Sequence, residues 1–143
     1  MASSRLSGVT YFADENALGL AKLLIRSGRD DVVHPGHGHL PEVPLGTPDL
    51  DWMPLIARAN LIVLSRDRRI RTRPAERTVH RELGLRSVWI GGKQDLRPIA
   101  QLELFLKYEQ QLQRFALKHG PGPWAVVMST SGVRAIRGSG ADV

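Results

Sequence analysis

The chain has 143 residues, 42% of them hydrophobic, and no cysteine. That is enough for one domain with a proper core, and it excludes a disulfide framework or a thiolate metal site. A net charge of +6 and a pI near 10.5 favour acidic partners, nucleic acid first, and no stretch is long and apolar enough to span a membrane.

Met1 to Gly8 is short and polar and is expected to fray. It shows no signal-peptide pattern, so a cytoplasmic protein is the simplest expectation. Residues 9–136 read as one domain and 137–143 as a flexible tail. Residues 9–14 form an apolar, β-rich run ending on Asp14. Asn16 is placed to cap a helix over Ala17–Arg26, whose apolar residues recur at helical spacing until Ser27-Gly28 stops it. Asp31 to His34 reads as a short strand. Residues 35–48, rich in Pro, Gly and His, read as a long loop.

Asp49 or Asp51 is expected to cap a helix reaching about Ala59, with Pro54 in its first turn. Asn60 ends it, and 61–66 is the clearest buried strand, followed by Asp67. Pro74 begins a helix that Gly84 stops near Leu83. Arg86–Ile90 is a strand closed by Gly91-Gly92. Pro98–Lys118 is the longest helical pattern, with Ile99, Leu102, Phe105, Leu106, Leu112 and Phe115 as its apolar face. Trp124–Met128 is a last strand, paired with Val133–Ile136 as a hairpin.

This alternation predicts an α/β domain, three-layered α/β/α, around a mainly parallel sheet of about five strands. Sites in such sheets form at the C-terminal strand ends, where strand order reverses. Asp14 and Asp67 both stand at such ends. With Asp49 and Asp51 they form a carboxylate set suited to a hard divalent cation, Mg²⁺ or Mn²⁺. Such an ion suits phosphodiester hydrolysis. The bland alternative is that each Asp merely caps a helix or closes a strand. Glu15 and Glu76 are further acids that could reach the ion, and Asn16 either orients Asp14 or caps.

Arg66, Arg68, Arg69, Arg71 and Arg73 follow or flank Asp67 and suit the clamping of phosphates; a solvated charged loop is the other reading. His34, His37 and His39 lie in a Pro/Gly frame that is poorly suited to zinc, so they read as a solvated loop or a partner contact. Trp52 reads as a core anchor. There is no Walker-type loop, no G-x-G-x-x-G after the first strand and no G-x-S-x-G elbow.

Ala13-Asp14-Glu15-Asn16 after a strand, then Thr47-Pro48-Asp49-Leu50-Asp51-Trp52, then Ser65-Arg66-Asp67-Arg68-Arg69-Ile70 after a strand, together resemble the PIN-like ribonuclease domains over residues 9–91. The likeness is closest to the divergent branch that includes VapC-type toxins of toxin–antitoxin pairs. It implies an endoribonuclease dependent on Mg²⁺ or Mn²⁺. Asp14 is similar to the family's first-strand metal aspartate and Asp67 to the strand-end aspartate. Asp49, with Asp51 a close rival, falls at the middle acid. The fourth acid of typical members has no clear counterpart after Asp67; Glu15 or Glu76 would substitute. An RNA substrate, a cognate antitoxin and a homodimer are the implied partners. Two rival readings are a catalytically silent PIN-like module that binds RNA or protein, and a receiver-like phosphoacceptor domain with Lys93 as its displaced lysine.

Overall fold

The computed structural model describes residues 5–67 and 73–136. Strand β1 (Tyr11–Ala13) leads through a 3-10 turn (Glu15–Ala17) into α1 (Leu18–Arg26) and then β2 (Val32–Val33). The loop 35–48 follows without regular structure. Next come α2 (Asp49–Arg58), β3 (Ile62–Ser65), α3 (Pro74–Leu83), β4 (Arg86–Ile90), α4 (Pro98–His119), β5 (Trp124–Ser129) and β6 (Gly132–Ala135). Every element anticipated from periodicity is present, and the hairpin strand β6 makes the sheet six-stranded.

The sheet order is β2-β1-β3-β4-β5-β6, parallel except for the antiparallel β6. The chain steps to one side of β1 for β2 and to the other side for β3. The strand order therefore reverses between β1 and β3, where a doubly wound sheet opens its ligand crevice.

Side chains alternate across the sheet because successive strand residues face opposite ways. Tyr11, Ala13, Ile62, Leu64, Val88, Ile90, Val126 and Met128 face α1 and α4, which bury Leu20, Leu24, Phe105 and Leu112 against them. Phe12, Val33, Val63 and Leu85 face the other way, onto Trp52, Met53 and Ile56 of α2 and Val79 of α3. Trp52 is the core anchor expected of it, with its ring 4.6 Å from Phe12. Gly19 lets α1 approach the first turn of α4, since a Cβ there would collide with the Pro98 ring.

Five local expectations are corrected. Residues 5–8 are docked rather than frayed: Leu6 is buried, and Arg5 pairs with Glu42 at 2.7 Å. The caps also differ. Pro48 is the N-cap residue of α2, so Asp49 and Asp51 both lie inside its first turn, where the helix dipole favours acids, and Pro54 falls beyond that turn. Asn16 caps nothing, because it lies within the 3-10 turn and α1 starts without a side-chain cap. On α4, Ile99 and Leu106 are each 54% exposed. Phe105 and Leu112 are buried as expected, joined by Gln101 and Leu104, and Leu102 and Phe115 pack partly buried against the core. No helix among the described residues is long and apolar enough to cross a membrane.

Candidate active site

Asp14 follows β1 and continues its ladder, its N–H donating to the Leu64 carbonyl at 3.1 Å. The backbone there is extended, and no side-chain hydrogen bond caps the following turn. The carboxylate is 2% exposed, and its Oδ1 is buried without a hydrogen-bond partner. Burial pushes its pKa up to about 7; the Ser65 hydroxyl opposes that rise, and the carboxylates of Asp49 and Asp67 add to it. The extended backbone is that of an ordinary N-cap, but the burial and the orphaned oxygen are not.

Asp49, half-buried, is also shifted upward, first by burial and then by Glu76 and Asp67, with Trp52 and Arg73 pulling the other way. Asp51, two residues on, is exposed. The helix start at Pro48 thus turns Asp49, not Asp51, toward the other acids. Glu76 in the first turn of α3 is 8% exposed and lies 3.6 Å from Arg73. It is both an ion-pair partner of Arg73 and a neighbour of Asp49. Glu15 points elsewhere: it accepts a hydrogen bond from the Gly46 N–H and so ties the 35–48 loop to the turn after β1.

Ser65 and Asn16, rather than further acids, hold the edge together. The Asn16 Oδ1 accepts from the Arg66 N–H at 2.7 Å and from the Ser65 hydroxyl at 3.2 Å. The Ser65 Oγ in turn accepts from the Asp67 N–H at 2.9 Å. Ser65 is a residue that the sequence reading passed over. Its signal was a hydroxyl ending an otherwise apolar strand two residues before an aspartate.

The basic run divides. Arg66 is not placed as a phosphate clamp: its guanidinium donates to the carbonyls of Ile90, Gly92 and Gln94, in the space a Cβ on Gly91 would need. It braces the chain after β4. Arg73, 51% exposed, faces the acids through Glu76. Arg68, Arg69 and Arg71 lie outside the described residues.

The carboxylates act on one another without closing on a point: among the described residues no three His, Cys, Asp or Glu are drawn together tightly enough to hold a metal ion. The chemistry of the donors nonetheless fits a hard divalent cation, being all oxygen, anionic, partly desolvated and including one buried oxygen that nothing satisfies. His34, His37 and His39 stack edge to face with ring centroids 5.2 Å apart. The His39 N–H donates to His37 Nδ1 at 3.0 Å. Burial and its two neighbours lower the His37 pKa.

The family model described as "PIN like domain" matches residues 9–92, more than half of the chain. The chain belongs to the PIN-like domain family. The match takes in every carboxylate of the cluster and two of the three carbonyls that Arg66 grips, those of Ile90 and Gly92, and it stops before α4 and the hairpin. A PIN-like domain accounts for the mostly parallel α/β sheet. No curated protein and no solved structure matches the chain.

Proposed function

We propose that this PIN-like domain is a metal-dependent endoribonuclease, of the VapC-like kind that forms the toxin of a toxin–antitoxin pair. One observation carries the reading: a fully buried Asp14 with an unsatisfied oxygen, raised toward neutrality beside Asp49 and Asp67 at the reversal of strand order. A carboxylate is costly to bury in this way for structure alone.

In this reading Asp14, Asp49 and Asp67 hold Mg²⁺ or Mn²⁺, and Glu76 supports Asp49. When bound, the ion neutralises charge on the RNA phosphate and acidifies the water that attacks it. Ser65 and Asn16 fix the two strand ends that carry Asp14 and Asp67. Arg73 supplies positive charge beside the acids, and Arg68, Arg69 and Arg71 are the further cations proposed for the phosphates. A cognate antitoxin would cover this edge. A second copy would pair through α4, whose Ile99, Leu106 and Leu117 are exposed. The site of action in this reading is the cytoplasm.

Cleavage of pooled cellular RNA with Mg²⁺, with Mn²⁺ and with chelator, comparing the parent with Asp14→Asn, tests this. Metal-dependent cutting lost in the variant is the expected result. RNA binding with no cutting under either metal would instead favour a silent PIN-like module.

A further inference from the structure

The sheet register puts Tyr11, Ile62, Arg86 and Trp124 in one row across β1, β3, β4 and β5. Partners in register share a face of the sheet, here the face that α1 and α4 cover. Tyr11, Ile62 and Trp124 are core residues. Arg86 is the exception, a cation at a position whose neighbours in the row are all buried. Each of the four begins its strand, so the row lies at the edge of the sheet opposite the acids.

A pocket of about 400 Å³ opens at that edge. Its apolar walls are Val9, Ile62, Ala116 and Leu117, all aliphatic, and Leu117 is 85% exposed. Among the described residues Arg86 is the only charged one in the lining. Its Nη2 donates to the Asn60 carbonyl at 2.6 Å. Among the described residues the rest of the guanidinium meets no hydrogen-bond acceptor, and no carboxylate pairs with it. Burial lowers its pKa, and no neighbouring charge acts against that. One main-chain acceptor offsets only part of the cost of half-burying a cation.

We infer that this pocket binds an aliphatic monocarboxylate, with its head on the open side of the Arg86 guanidinium and its chain along Val9, Ile62, Ala116 and Leu117. A guanidinium presents paired donors that match a carboxylate. One cation balances one negative charge, whereas a phosphate dianion would bring a second, uncompensated charge against apolar walls. Among the described lining residues there is no aromatic ring for a flat ligand to stack on, and a cavity of this size suits a small organic molecule. The inference does not rest on the nuclease reading. β1 and β3 run from this pocket to Asp14 and Asp67 at their other ends, so the length of the strands separates the two sites.

The test is a titration with octanoate, below its micelle concentration, followed by the amide NMR shifts of the isotope-labelled protein. The shifts should saturate at one ligand per chain and centre on Val9, Asn60, Arg86 and the Gln113–Leu117 turn of α4. Hexanoate, two methylenes shorter, should bind about tenfold more weakly. Arg86→Gln should weaken octanoate binding at least about tenfold, since a charge-assisted pair is lost. Gln113 is exposed and lines the same pocket, so Gln113→Glu gives a second variant that should fold like the parent. It sets a competing carboxylate in the pocket and should weaken binding by a similar factor. Shifts that scatter over the surface without saturating, octylammonium bound as tightly as octanoate, or parent-like octanoate affinity in either variant would overturn the inference. RNA cleavage has no part in this readout. A parent that never cuts leaves the pocket standing, and a pocket that takes no octanoate leaves the nuclease standing.

Discussion

The side chain of Asn16 accepts the main-chain N–H of Arg66 at 2.7 Å, joining the turn after β1 to the end of β3. Asp14 and Asp67 sit on either side of that bond. Asn16→Ala should therefore cost little stability, about 1 kcal/mol, because the position is exposed. It should slow RNA cleavage about ten- to a hundredfold by loosening the two acids. RNA affinity in chelator should stay within about twofold, because Asn16 orders the acids rather than meeting the phosphates. Turnover measured beside anisotropy checks this.

Asp49 and Asp51 are two residues apart, a little over half a turn of helix, so they part company in effect. Asp49→Asn should lower cleavage at least about a hundredfold and weaken Mn²⁺ binding followed by calorimetry. Asp51→Asn should cut within about twofold of the parent. Equal losses in both would remove Asp49 from the assignment.

Asp14 makes the metal-free protein less stable as pH rises. Its pKa is raised in the folded state, from 3.8 to about 7, so the folded chain holds the proton more tightly than the unfolded one. The stability this gives is complete below about 3.8, is lost as pH climbs through about 7, and changes by about 1.4 kcal/mol per unit of pKa difference. In chelator, Asp14→Asn should melt higher than the parent at pH values above about 7 and show a flatter pH profile. Mn²⁺ should raise the parent's melting point there and leave the variant's nearly unchanged. A parent whose metal-free melting point rises between those limits would contradict the burial described.

At the opposite end of the sheet, the Tyr11 hydroxyl donates to Glu109 at 2.9 Å, and Arg29 bridges Glu109 and Asp31. Tyr11 is completely buried, so Glu109→Ala strips a hydroxyl and a guanidinium of an acceptor. The cost should be about 2 kcal/mol in denaturant melts. Cleavage measured well below the melting point should be unchanged, since this network binds α4 to β1 and β2 far from the acids. A comparable loss of activity would mean that the two ends of the sheet are coupled.

Much of this molecule was legible from its residues because hydrophobic periodicity, glycine stops and strand-end acids are local signals. Asp14 and Asp67 could be paired from sequence because the reversal of strand order brings β1 and β3 together. What lay beyond reach depends on a fraction of a helical turn or on distant backbone. The choice between Asp49 and Asp51 hangs on α2 starting at Pro48. Arg66 looked like a phosphate clamp because a charge run does not reveal carbonyls that lie 24 and 28 residues away. Ile99 and Leu106 are apolar yet face solvent, while Phe105 and Leu112 of the same pattern are buried, because hydrophobicity marks a wider stripe than the sheet covers.

The register from Asp14 to Trp89 works as a ruler. Two hydrogen-bonded strand spacings separate them, and Arg66 clamps the chain on the far side, so the interval cannot stretch without breaking the sheet. Any probe of the distance between these two strand ends should therefore read one value until the sheet itself unfolds.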